Sequence, residues 1–101
     1  GGAVAYHVAL GYPQRLAGLM ALSTYLATND HISYSAANKD MPILIEHGTH
    51  DPVVPVVLGE QAQNLLSAKG YSVVYHTYPM AHQVCMPQIQ NIGQWMNKVL
   101  A

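Results

Sequence analysis

The segment that most restricts how this chain can fold is Met41-Pro42-Ile43-Leu44-Ile45-Glu46-His47-Gly48-Thr49-His50-Asp51-Pro52-Val53-Val54-Pro55. Ile43, Leu44 and Ile45 follow a proline, and the run stops at Gly48. That pattern describes a short interior strand with a sharp exit. In open α/β sheets, ligands and catalytic groups gather beyond the carboxyl ends of the strands, where loops converge over a packed scaffold. Asp51, at the tip of this exit loop, is therefore well placed to act.

The remaining segments supply an α/β frame around that strand. Residues 3–10 are small and apolar nearly all round, as in a helix buried between a sheet and other elements, and Gly11 ahead of Tyr12-Pro13 ends it. The continuous apolar run Leu16 to Leu22 predicts a strand covered on both faces. A polar stretch from Thr28 to Asp40 reads as a surface loop with room for a helical turn. Pro55 can open a helix running to about Lys69, with Leu58, Ala62, Leu65 and Leu66 on its apolar face and Gly70 as its cap. Residues 71–78 are β-branched and aromatic, a third strand stopped by Pro79. A last helix from about Pro87 carries Ile89, Ile92, Met96, Val99 and Leu100 at helical spacing. Helices alternating with strands predict an α/β fold with a mostly parallel sheet and flanking helices. Three such strands leave open edges that a longer protein would pair.

Composition removes several functions. Half of the 101 residues are hydrophobic and 9% are charged, which forms a core rather than a disordered chain. Four Lys plus Arg against five Asp plus Glu leave no basic face for nucleic acid. No apolar run approaches the ~18 residues of a membrane span, and no leader-like segment is visible, so a cytoplasmic protein is expected. Cys85 is the only cysteine, which rules out an internal disulfide. The opening Gly-Gly-Ala-Val-Ala, with no Met, drops straight into a helix-like run, as expected for the back half of a longer protein.

Asp51 and His82 are each expected at the carboxyl end of one of two successive strands. If those strands are neighbours, the carboxylate can accept the imidazole N–H, fix the ring tautomer and stabilise the imidazolium that forms when the other nitrogen takes a proton. That is a general-base arrangement without a nucleophile. The bland alternatives are a turn or helix-cap carboxylate for Asp51 and a polar turn residue for His82.

Four pieces, Gly1-Gly2-Ala3, Leu22-Ser23-Thr24-Tyr25-Leu26, His47-Gly48-Thr49-His50-Asp51-Pro52-Val53-Val54-Pro55 and Tyr78-Pro79-Met80-Ala81-His82, resemble the carboxylesterase, phospholipase and acyl-protein thioesterase family of α/β-hydrolases. By that resemblance Asp51 is the triad acid and His82 the general base, and the chain is the C-terminal part of an α/β-hydrolase domain. The family's nucleophile elbow has the form Gly-x-Ser-x-Gly. Gly1 resembles its last glycine, so the nucleophile is expected upstream of Gly1, and none is expected in this chain. Gly70-Tyr71-Ser72 lacks the second glycine and sits at the start of a strand. The implied reaction is two-step hydrolysis of a carboxylic ester, thioester or lysolipid, with no cofactor or metal and with the chain alone inactive. A dienelactone-hydrolase-like enzyme would share the acid and base but use a cysteine in the elbow.

The resemblance places Leu26 beside an acyl-binding groove that Val53 and Val84 can also line, although ordinary packing under loops suits each of them too. Ala27 stands where many relatives have proline. His47, His50 and Asp51 offer metal-ligand types in five residues, but without a fourth group or a common face. His7 and His76 fall inside predicted elements and are expected to pack or lie half exposed, and Cys85 to pack or remain a free thiol. The expected partners are the substrate and the missing N-terminal half. The competing class is a non-catalytic piece that binds that half, or a second copy as a homodimer, through its open sheet edge.

Overall fold

The structure, a computed structural model, describes residues 2–26, 34–82 and 84–100. The elements are α1 (Gly2–Gly11), β1 (Leu19–Leu22), a 3-10 turn (Ala36–Asn38), β2 (Ile43–Gly48), α2 (Val56–Ala68), β3 (Val73–Tyr78) and α3 (Met86–Leu100). The strands form one parallel sheet in the order β1-β2-β3. Register runs from Leu19 opposite Ile43 to Leu22 opposite Glu46, and from Ile43 opposite Val73 to Gly48 opposite Tyr78.

Side chains alternate across a strand, so the two faces of the sheet meet different layers. Leu19, Ala21, Ile43 and Ile45 point to one side and form the core with Tyr6, Ala9 and Leu10 of α1 and Ala62 and Leu66 of α2. On the other side α3 lies across the sheet, where Trp95 reaches Gly18 so closely that a Cβ there would stand 2.8 Å from its ring. Every residue of β2 is buried, because the strand has a neighbour on both edges and a helical layer on both faces. Asn38 ties the α1–β1 connection down from the 3-10 turn: its Oδ1 accepts the Leu16 N–H at 2.6 Å, and its Nδ2 donates to the carbonyls of Tyr12 and Gln14.

The α/β class, the parallel sheet and the flanking helices are as the sequence predicts. α2 begins after Pro55 and ends at Ala68 with Lys69 as its C-cap, followed by Gly70 at a φ of 92° that glycine adopts without strain. Four expectations need correction. β1 starts at Leu19 rather than Leu16, since the Leu16 N–H is taken by Asn38 and pairing begins only where the Leu19 N–H meets the Pro42 carbonyl at 3.0 Å. β3 starts at Val73 rather than residue 71, because the Tyr71 N–H bonds back to the Leu66 carbonyl at the end of α2. α1 is not buried all round, as Val8 faces outward.

The face of α3 is rotated from the predicted stripe. Ile89 and Leu100 are 50% and 67% exposed and Met96 is exposed, whereas Gln88 is buried and Ile92, Trp95 and Val99 are half buried. A polar contact sets that rotation, for Asn91 Nδ2 donates to the Tyr78 hydroxyl at 2.7 Å. Ala27 and the side chain of His7 lie outside the described residues.

The layering has unequal consequences for two isoleucines. Ile45→Ala, which empties a side chain buried between α1, α2 and the sheet, is expected to cost about 2–5 kcal/mol. Ile89→Ala should stay within about 0.5 kcal/mol. Urea unfolding of the two variants, followed by far-ultraviolet circular dichroism, measures both.

Candidate active site

The loop after β2 is folded around the Asp51 carboxylate. Oδ1 accepts the N–H groups of Val53 and Val54, each at 2.8 Å, closing the tight turn that an Asp before a proline favours. His47, fully buried on the α2 side, fastens the same turn by donating from Nε2 to the Val54 carbonyl at 2.6 Å. The ring fits because residue 59 of the overlying helix is glycine: a Cβ there would stand 3.0 Å from His47 Nδ1. The turn-carboxylate role expected for Asp51 is thus present, and it uses only one of the two oxygens.

Oδ2 takes the Nδ1–H of His82 at 2.7 Å. His82 reaches it because β3 pairs with β2 to its end and the ladder continues into both exit loops: the Thr49 N–H bonds the Tyr78 carbonyl at 2.8 Å, and the His50 N–H bonds the Met80 carbonyl at 3.1 Å. The 80–81 backbone crosses directly over Gly48, where an added Cβ would collide with the Met80 carbonyl oxygen. The Asp51 side chain is inaccessible while that of His82 is 42% exposed, so the carboxylate lies beneath and the imidazole faces outward. With Nδ1–H pointing at the carboxylate, the neutral ring keeps Nε2 as an acceptor on its other side.

Burial pushes the Asp51 carboxyl up, but the Val54 N–H, the His82 ring and the Val53 N–H outweigh it and hold the group below its ordinary value. The carboxylate therefore stays ionised at neutral pH.

His82 lines a depression of about 200 Å³ with Leu22, Ser23 and Val84, at the carboxyl ends of the strands. Val84 is therefore beside the histidine. Val53 is exposed on the Asp51 turn, and Leu26 lines a separate depression of about 260 Å³ with Tyr25, Leu58 and Leu65 against α2. Ser72 belongs to the other end of the sheet: its carbonyl accepts the Ile43 N–H, and it lines a depression of about 370 Å³ with Arg15, Trp95 and Lys98. That cavity is larger than the one at His82, but it holds no paired acid and base and sits where the strands begin. Among the described residues, no three His, Cys, Asp or Glu side chains come together as a metal site. Cys85 is a half-buried free thiol.

Two features escape sequence reasoning. Glu46, buried in β2, accepts the Tyr78 hydroxyl at 2.9 Å and the His76 Nδ1–H at 3.0 Å, and its signal was a charged residue ending an apolar run. Ser23, beside His82, carries no signal in its letter, because its position depends on a backbone angle.

The sequence profile of the phospholipase/carboxylesterase family matches residues 1–100. Among curated proteins, acyl-protein thioesterase 1 of Neurospora crassa is 35% identical over 105 residues, covering 99% of this chain and 43% of that protein. Acyl-protein thioesterase 1 of Cryptococcus neoformans is 32% identical over 116 residues, covering 99% and 49%. Among solved structures, Arabidopsis thaliana SOBER1 superposes with a TM-score of 0.91 at 27% identity, covering 99% of this chain and 49% of that one. Bacillus cereus carboxylesterase, at 20% identity and a TM-score of 0.81, covering 98% and 46%, shares the fold. The chain spans about half the length of the curated relatives it matches. No helix among the described residues is long and apolar enough to cross a membrane. With a profile match from end to end, the chain belongs to the phospholipase/carboxylesterase family of α/β-hydrolases.

Proposed function

We propose that this chain is the C-terminal part of a serine hydrolase domain, beginning just after the nucleophile elbow, with Asp51 as triad acid and His82 as general base. The observation that carries this reading is the 2.7 Å hydrogen bond from His82 Nδ1 to a carboxylate whose other oxygen is held by two backbone N–H groups. Such an acid is held toward its histidine, and the histidine lines a depression at the carboxyl ends of the strands.

The reaction is acyl transfer in two steps. A serine upstream of Gly1 gives its proton to His82 Nε2 as its oxygen bonds the substrate carbonyl carbon. The leaving group takes that proton as its bond to the carbon breaks. Water then repeats the sequence on the acyl-enzyme, with His82 again as base. Asp51 keeps its negative charge throughout and compensates the imidazolium. The oxyanion donors belong to the upstream part, at about 3 kcal/mol for each one, so the chain alone is expected to lack turnover. No cofactor takes part.

The substrate is a carboxylic ester, lysolipid or acyl thioester, with Leu26, Val53 and Val84 as candidate contacts of the acyl chain and the cytoplasm as the site of action. The relatives named acyl-protein thioesterase keep acyl thioesters among the candidate substrates beside oxygen esters. Among the described residues β1 pairs only with β2, which leaves its other edge for a strand of the upstream part.

In the full-length protein, His82→Ala should lower p-nitrophenyl butyrate hydrolysis roughly 10³-fold or more. A fluorophosphonate probe should label a serine upstream of residue 1. Turnover surviving in His82→Ala, or label on a cysteine, would sink the reading.

Asp51 also makes a pH prediction. Its folded pKa lies below its unfolded value, so its stabilisation is complete above the unfolded value, about 3.9 for a model Asp, and is lost as pH falls through the folded value. Urea unfolding between pH 6 and 2.5 should show a steeper acid-side loss of stability in the wild type than in Asp51→Asn.

A further inference from the structure

Ser23 stands immediately after β1, with a φ of 52°, and it is the only described non-glycine residue in the left-handed region. A side chain there crowds its own backbone, so such residues persist only where surroundings fix them, and they cluster at functional sites. Here the surroundings are known: the Ser23 N–H donates to the Glu46 carbonyl at 2.9 Å, which extends the β1–β2 ladder one residue past the strand and holds the kink. The kink sets Ser23 in the wall of the depression that His82 lines. The other described walls are Leu22 and Val84, both apolar, so among the described residues Ser23 and His82 are the polar side chains that line that space. No hydrogen bond among the described residues occupies the Ser23 hydroxyl.

We infer that Ser23 is a substrate-contacting residue whose hydroxyl donates a hydrogen bond to the leaving-group atom that His82 protonates, and that it thereby favours oxygen esters over thioesters. The inference rests on the hydrolase reading above and goes further by naming a discriminating group. A hydroxyl donates well to oxygen and poorly to sulfur, which is a weak acceptor. An alkoxide or phenoxide leaving group should therefore gain from Ser23 and a thiolate should gain little. Removing the hydroxyl should act on the step that expels the leaving group and spare hydrolysis of the acyl-enzyme, from which that group has gone.

The test uses the full-length enzyme with Ser23→Ala and Ser23→Gly, on an oxygen ester and a thioester of the same acyl group. Both variants lack the hydroxyl, but glycine also relaxes the left-handed backbone, so Ser23→Gly should melt at a higher temperature than Ser23→Ala. The expected result is a roughly tenfold loss of kcat/KM for the oxygen ester in both variants, the value of one hydrogen bond of ordinary strength, with less than threefold loss for the thioester. Equal losses on both substrates, activity that follows the melting temperature, or no loss at all would overturn the proposal. A wild type that hydrolyses neither substrate, or a His82→Ala variant that hydrolyses both, would instead overturn the hydrolase reading on which it rests.

Discussion

No side chain fits at Gly48, and the geometry of the Asp51–His82 pair depends on that. The residue ends the central strand, and the backbone carrying His82 passes across it at a distance that leaves no room for a Cβ. Two hydrogen bonds from the β2 exit to the β3 exit, from Thr49 and His50, hold the crossing in place. A methyl group at that point would lift the 80–82 loop and break the alignment of His82 with Asp51 before touching either side chain. A deviation of an ångström suffices for that, since hydrogen bonds weaken steeply with angle and distance.

The sheet is polar at one end by design of its central strand. β2 begins with Ile43, Leu44 and Ile45, and then turns to Glu46 and His47, all buried. Alternation sends His47 toward α2, where it clamps the Asp51 turn, and Glu46 toward α3, where it gathers Tyr78 and His76. Burial pushes the Tyr78 hydroxyl up, so it remains a donor to Glu46 while accepting from Asn91. α3 is thus fastened to the sheet by a relay of hydrogen bonds near its start and by Trp95 farther along. The apolar strip that packs is Ile92, Trp95 and Val99, distinct from the exposed Ile89, Met96 and Leu100.

That distinction explains what was legible in the letters. Apolar runs and turn residues predicted all three strands and the three long helices, because helix caps and breakers are local signals: Gly11, Pro55, Gly70 and Pro79 each mark an end that the structure contains. The 3-10 turn lies within the loop where a helical turn had room. Asp51 and His82 were legible for a different reason, since each follows its strand and neighbouring parallel strands bring such exits together. The rotation of α3 was not legible, because Ile89, Met96 and Leu100 form as good a stripe as the residues that pack, and the Asn91 contact with the Tyr78 hydroxyl that goes with the observed face joins two separate elements. Nor was the start of β1, because the partner that takes the Leu16 N–H is Asn38, far along the chain. The placement of Leu26 against α2, apart from the depression at His82, likewise depends on how loops are laid over the sheet and has no local signature.

The β2–α2–β3 unit has a kinetic consequence as well. Parallel neighbours cannot be joined by a tight hairpin, so α2 and both of its connections must be closed before the first β2–β3 ladder bond can form. Non-local pairing of this kind is paid for in chain entropy ahead of any reward, and it slows folding. The hydrogen bond between His82 and Asp51 lies beyond the last rungs of that ladder. A slip of β3 by one residue would turn Tyr78 to the α2 face, away from Glu46, and would also shift His82 along the sheet by about 3.3 Å, out of reach of the carboxylate. Asp51 and His82 therefore become partners only in a chain whose crossover has closed in its native register, and misregistered forms of this unit carry both residues without the pair.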